Sequence, residues 1–474
     1  MALPFPTDDP FLTGYYEPIH MECDAPNLPV TGEVPKSLRG TLYRNGPNPQ
    51  FAPRGRPHHW FSGDGMLHAF HIDEGRVSYR NRWVRTPKWF MENANKEGMS
   101  ASLSHRHLTD PALLELNSTV ANTNVIWHGN RLLALEEAHA PFEVDPVSLE
   151  PRGYHRFEDK LPGAMTAHPK CDPLTGELIF FAYAAGGRFT SDLMLHVADR
   201  EGKLQRSVHL NAPFPSMVHD FVVTRTHVIF PVFPLTGSME RATSQLPPYA
   251  WEPDKGTHIG VLPRNGTAAD VRWFTGEPSF VFHAMNAFDD GRHIVCDMMK
   301  YDTPPLFPRP DGSPVSSEPP AARLVRWTFD LAGSTASFSE RLLDERPGEF
   351  PRLDERFAMS QYRHGYFNSA PVTDGVKGDA ARGGLAHIDL ATGRTAEWLP
   401  PNGDYCSEPV FVERHADAPE GDGWLLSVVW RGGENRSDLA VFDAADIAMG
   451  PIALAHLSHR VPAGFHGNWR SALN

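Results

Sequence analysis

Short apolar runs, each closed by a polar turn, recur along almost the whole of this 474-residue chain, while helical periodicity is scarce. The runs include Met66 to Arg85 turning at Asp73-Glu74-Gly75, Val125 to Ala134 turning at His128-Gly129-Asn130, and Leu178 to Ala184. Phe221 to Phe233, His293 to Met299, Leu324 to Leu331, Leu385 to Leu399 and Trp424 to Val428 continue the series. Many short strands with tight turns exclude a helical fold and leave a sandwich, a barrel or a propeller. A spacing of roughly 50 to 60 residues favours the propeller, because a four-stranded blade consumes about that much chain. The expectation is an all-β chain, 1–474 forming one domain. Turns of helix are expected only near Asp110 to Leu116 and Ala444 to Ile447. The proline-rich stretches Thr303 to Pro320 and Pro247 to Pro253 lack the amide donors of an inner strand, so they read as long loops forming a cap over one end.

A formal charge of -14, with no block of lysine or arginine, argues against nucleic acid as a partner. No apolar run reaches the roughly 18 residues of a membrane-crossing helix, and Met1 to Pro10 lacks a charged segment followed by an apolar core. The default expectation is a cytoplasmic protein. The four cysteines are scattered without Cys-x-x-Cys pairing and read as free thiols.

Of 24 histidines, four stand just before apolar strands: His168 in Thr166-Ala167-His168-Pro169, His219 in Met217-Val218-His219-Asp220-Phe221, His283 in Phe282-His283-Ala284, and His466 in Phe465-His466-Gly467. They are separated by 51, 64 and 183 residues, the last about three repeats. Repeat-phased histidines would occupy equivalent places on different blades and point at one axial spot. Imidazole suits iron, zinc, copper and nickel alike. Four neutral donors on an octahedral iron(II) leave two positions open, whereas a tetrahedral zinc would be saturated. Histidines on a metal usually donate their second N–H to a carboxylate or carbonyl. Glu349 and Glu408 are 59 residues apart, His466 follows after another 58, and Glu137 precedes the blade of His168.

At this point the sequence resembles the carotenoid cleavage oxygenase family, from about Leu38 to Trp469. The resemblance is carried by Leu38-Arg39-Gly40-Thr41-Leu42-Tyr43-Arg44-Asn45-Gly46-Pro47-Asn48-Pro49, by His59-Trp60-Phe61-Ser62-Gly63-Asp64-Gly65-Met66-Leu67-His68 and by Met217-Val218-His219-Asp220-Phe221. It implies a seven-bladed propeller with a loop and short-helix cap over the metal-binding face, iron(II) on His168, His219, His283 and His466, and Glu137, Glu349 and Glu408 behind three of the histidines. It further implies that Thr123 faces the sixth coordination position and that Phe61 and Phe307 line the substrate tunnel. Where the lignostilbene branch has a lysine and a tyrosine, this chain has Glu136 and Leu103. Glu136 could accept a phenolic proton as a general base.

The reaction implied is O2-dependent cleavage of a C=C bond into two carbonyls. The four electrons given up by the alkene match the four that O2 accepts, so no organic cofactor is needed. The expected substrate is a 4-hydroxyphenyl alkene such as isoeugenol or 4-vinylguaiacol, giving an aromatic aldehyde like vanillin. Apocarotenoid or stilbene cleavage by the same chemistry is the near alternative; for the apocarotenoid, the apolar stretch from Leu246 to Trp251 could make a weak contact with a membrane surface. A metal-bound propeller serving only as a binding platform is the alternative of another class. A calcium-centred hydrolase would need repeat-phased Asp or Asn oxygens, and here the phased residues are histidines.

Overall fold

A computed structural model of the chain describes residues 4–116, 118–369, 383–401 and 403–472. Its strands follow the turn chemistry. The hairpin expected across Met66 to Arg85 forms as Gly65–Asp73 and Arg76–Trp83. It reverses at Glu74 and Gly75, whose φ angles are 49° and 76°. Asn124–His128 and Arg131–Leu135 reverse likewise at Gly129 and Asn130, with φ of 55° and 59°. Left-handed backbone at both turn positions matches the twist of the flanking strands, and glycine and asparagine reach it with little steric cost.

The chain divides into two compact units, one built from 1–167, 401–418 and 423–474 and the other from 168–400 and 419–422. The first carries three antiparallel sheets, whose first-numbered strands are Asp24–Ala25, Val30–Gly32 and Asn124–His128. The second carries four sheets of four strands, opening with Lys170–Cys171, Val222–Val223, Phe280–Asp289 and Gly348–Leu353. In each of these four the opening strand is an edge strand. The fold is a seven-bladed β-propeller. No helix among the described residues is long and apolar enough to cross a membrane.

Residues 303–320 carry no strand, as expected. The reading of Pro247 to Pro253 as loop needs one correction, because Tyr249–Trp251 pairs with Leu235–Gly237 in a two-stranded ribbon. The three strand residues keep their N–H donors, and an isolated ribbon tolerates prolines beside it. Helix forms at Pro111–Leu116, and Ile447–Met449 is a single 3-10 turn. The helix Pro87–Asn95 was not anticipated; it starts with proline in its first turn and Thr86 Oγ1 accepting from Trp89 N.

Chain closure in the first unit is made by Gly40–Pro47, which pairs antiparallel with Gly467–Ser471 so that Arg44 faces Gly467. The Arg44-Asn45 pair fastens the approach to that strand. Asn45 N donates to the carbonyl of His466 at 2.8 Å, and Phe465 N donates back to Asn45 O at 3.0 Å. Asn45 Nδ2 donates to Ala121 O and Asn124 O. Buried Arg44 donates to the carbonyls of Glu408 and Phe465.

Lys88, on the unanticipated helix, is buried between Asp64 and Glu92, with Nζ–O distances of 2.6 and 2.7 Å. Glu92 also accepts from Met99 N and Ser100 N, and Asp64 from Gln50 N. The cluster therefore pins the segments that lead to Phe61 and Leu103. Lys88→Met would strand two carboxylates in a dry site, and removal of one member of a buried ion pair costs about 3–5 kcal/mol. Chemical denaturation of the variant is expected to show a loss in that range; a change under about 0.5 kcal/mol, the size of an ordinary surface substitution, would refute the assignment.

Candidate metal centre

Three of the singled-out histidines meet in the second unit. His168 stands two residues ahead of Lys170–Cys171 and His219 three ahead of Val222–Val223, both on short approaches to edge strands. His283 departs from the expected position, lying inside the strand Phe280–Asp289. Pairing with His293–Tyr301 slips between Val281 and Ala284 and again between Ala284 and Asn286. Such irregularities re-aim side chains that a regular pleat would send to alternate faces. All three rings are buried, and one ligand nitrogen from each lies within 4.8 Å of the others. His168 Nε2 and His219 Nε2 are 3.0 Å apart.

A carboxylate orients the third ring. His283 Nδ1 donates to Glu349 Oε2 at 2.5 Å. An ionised carboxylate can only accept, so the proton sits on Nδ1 and Nε2 presents a lone pair. Glu349 Oε2 also accepts from Phe350 N at 2.6 Å, and Oε1 accepts from Tyr301 Oη at 3.2 Å. Phe350 has φ of 53°, and its ring stacks on His283 at 5.3 Å. Left-handed backbone at a phenylalanine is strained, and the amide-to-carboxylate bond holds it there.

His466, in the first unit, has the same arrangement around it. Its Nδ1 donates to Glu408 Oε1 at 2.9 Å, and Gly467 N donates to Glu408 Oε2 at 2.8 Å. The His466 amide donates to Thr123 O, and Thr123 N to Leu135 O. Glu137 lies half-buried just past Arg131–Leu135.

The remaining expected site residues fall as follows. Phe61 sits in the 3-10 turn Trp60–Ser62, edge-on to Phe465 at 5.5 Å, with its carbonyl bound by Asn122 Nδ2. Leu103 opens the 3-10 segment Leu103–Leu108 and donates its amide to Ser62 Oγ. Phe307 is buried within the proline-rich stretch of the second unit. Glu136 is already engaged, accepting from Thr119 Oγ1, Ala138 N and His139 Nδ1. Burial raises its pKa, but hydrogen bonds and charge from His139, with the Ala138 amide and Thr119 hydroxyl, outweigh that and hold it below the usual carboxylate value. It is an ionised acceptor at neutral pH. Sequence reading missed His139, although its spacing of three from Glu136 was visible, and it missed Tyr301, for which no local signal exists.

Converging imidazole nitrogens, one with its tautomer fixed by a glutamate, suit a borderline divalent ion. Two Nε2 atoms at 3.0 Å can share one proton or one cation, and a metal–nitrogen bond of about 2.1 Å at a right angle spans about that separation. The donor set therefore fits iron.

Comparison with known proteins places this geometry in context. The family profile described as retinal pigment epithelial membrane protein matches residues 16–471. Isoeugenol monooxygenase of Pseudomonas putida is 38% identical, over 98% of this chain and 99% of that protein. The crystal structure of lignostilbene dioxygenase from Pseudomonas brassicacearum is similar at 36% identity with a TM-score of 0.95, over 99% of this chain and all of the other. A Synechocystis apocarotenoid oxygenase variant is similar at 29% identity and a TM-score of 0.86, over 97% of this chain and 98% of that one. The chain therefore belongs to the retinal pigment epithelial membrane protein family, the carotenoid cleavage oxygenases, and is an oxygenase of that alkene-cleaving group.

Proposed function

We propose that this oxygenase is an iron(II) dioxygenase that cleaves the side-chain double bond of a 4-hydroxyphenyl alkene of the isoeugenol or 4-vinylguaiacol type. His168, His219, His283 and His466 would hold the ion. The supporting observation is the three-imidazole group with its Glu349 partner, in a chain 38% identical over nearly its whole length to a relative named isoeugenol monooxygenase. Iron bound there would supply O2 activation and redox capacity. Isoeugenol and O2 balance as vanillin and acetaldehyde, with no electrons left over and no organic cofactor.

The protein's own groups do the rest. Glu349 and Glu408 hold the rings of His283 and His466 with the lone pair presented on Nε2, and Glu137 would serve a third ring. Phe61, Leu103 and Phe307 would pack on the aromatic substrate, with Thr123 restricting the space beside it. Glu136, kept ionised but weakened as a base by its three donors, would accept a charge-assisted hydrogen bond from the phenolic O–H and so raise the electron density of the conjugated alkene without taking the proton outright.

Purified protein should contain about one iron per chain and convert isoeugenol or 4-vinylguaiacol to vanillin when tested beside resveratrol and an apocarotenal. Product from the polyene alone would replace the phenylpropanoid assignment, and stoichiometric zinc without O2 uptake on any alkene would favour a binding platform. Glu349→Gln should weaken metal affinity about 10–100-fold, read by metal titration; unchanged affinity would remove Glu349 from the site. Glu136→Gln should lower kcat/KM on isoeugenol about 10–100-fold, the loss of one hydrogen bond to a charged group, and an unaltered value would show that the carboxylate does not meet the phenol.

A further inference from the structure

The motif Met217-Val218-His219-Asp220-Phe221 contains a second chemical group that the proposed reaction leaves without a task. Asp220 is one residue beyond His219, Lys170 two beyond His168, and Ala284 one beyond His283. These three residues are joined. Lys170 Nζ donates to Asp220 Oδ1 at 2.7 Å, and Ala284 N donates to Asp220 Oδ2 at 3.0 Å. Phe221 N completes the set on Oδ1 at 2.8 Å. The Asp220 side chain is 4% exposed and that of Lys170 26%. The Lys170 ammonium also lies over the Phe221 ring at 5.8 Å.

We infer that Asp220 is the positioning residue of the three-histidine group, a single buried carboxylate that ties together the chain segments carrying His168, His219 and His283. This rests on the reading that those imidazoles hold a metal ion.

The physical case begins with the backbone. His168 and His219 precede edge strands of only two residues each, Lys170–Cys171 and Val222–Val223, so few ladder hydrogen bonds fix the approach of either ring. His283 lies where its ladder is irregular. All three segments are thus under-determined by sheet pairing at the point where their rings must meet within 4.8 Å. A buried carboxylate requires several donors, and charge-assisted hydrogen bonds are short and about twice as strong as neutral ones. Asp220 obtains its donors from all three segments. Drawing those donors to one anion draws the rings to one point. Lys170 supplies the compensating charge, so the site gains rigidity with no net charge added beside the imidazoles.

The test uses the full chain, stripped with a chelator and titrated with cobalt(II), whose visible absorption reports ligand number and geometry; Tm is followed in parallel. Asp220→Ala is expected to bind cobalt about 10–100-fold more weakly and with an altered spectrum. Asp220→Asn keeps acceptor capacity and should lose less. Lys170→Met should reproduce part of the loss, and Lys170→Arg, which retains the ion pair, should restore it. A purely structural role would lower Tm in Asp220→Ala while cobalt affinity and spectrum stay as in the parent, and that result overturns the inference. Should Asp220→Ala fail to fold, Lys170→Met and Asp220→Asn decide, with parental affinity and spectrum in both overturning it. His219→Ala separates the two layers: cobalt binding as tight as the parent's would refute the metal assignment itself.

Discussion

The 3.0 Å approach of His168 Nε2 to His219 Nε2 is the constraint on which the second unit's functional architecture turns. Two imidazole lone pairs in a dry interior repel unless something positive lies between them, and burial removes the water that would otherwise do so. The arrangement holds only if the chain keeps both rings in place when nothing is bound, and if a cation repays the cost when something is. Bringing together residues 51 and 64 positions apart is what a repeat architecture achieves, since the rings come from the equivalent opening strands of different sheets or from the approaches to them. Propeller blades supply that equivalence. The strands themselves are too short beside His168 and His219, and too irregular at His283, to supply the final ångström.

Carboxylates clamped by backbone amides stand at each of these places, two of them on a ring and one on the segments between the rings. Glu349 accepts from the His283 ring and from the Phe350 amide, Glu408 from the His466 ring and the Gly467 amide, and Asp220 from the Phe221 and Ala284 amides together with Lys170. Backbone amides are fixed dipoles that neither titrate nor rotate freely, so a carboxylate clamped by one has its second direction determined. A ring bound to it inherits that orientation. For His283 and His466 the result is a defined tautomer as well as a defined angle, with the lone pair on Nε2 strengthened by the anion behind.

Much of this was legible in the sequence, and the limits are instructive. Hairpins at Asp73-Glu74-Gly75 and His128-Gly129-Asn130 were readable because turn conformations admit few residue types. The histidines and Glu349 were readable because a repeat period gives distant residues a common phase. The place of His283 within its strand was not, because an irregular register is decided by pairing with Met298 and Asp297 rather than by local pattern. Lys88 was equally hidden: a lysine at the start of a helix reads as solvated until Asp64, 24 residues earlier, is seen beside it. Glu136 illustrates the remaining gap. The resemblance offered it as an available base, whereas its three donors make it a committed anion whose reactivity depends on His139 as much as on itself.

Closure of the chain bears on the site in the first unit by a different route. His466 stands immediately before Gly467–Ser471, whose partner Gly40–Pro47 is more than 420 residues away in sequence. Loop-closure entropy opposes such a pairing, though it grows only with the logarithm of length. What offsets it is concentrated in Arg44 and Asn45, which satisfy the carbonyls of Glu408, Phe465, His466, Ala121 and Asn124 in a buried setting. Each of those carbonyls would otherwise be stranded at a cost of about 1–3 kcal/mol. The His466 backbone is therefore held at both ends, its amide by Thr123 and its carbonyl by Asn45, only when the two chain ends have met. Ring orientation by Glu408 presupposes that step, since Glu408 is itself held through its carbonyl by Arg44. An incompletely closed chain leaves the ring of His466 without its fixed direction, so the motif that seals the fold is also the one that orients this imidazole.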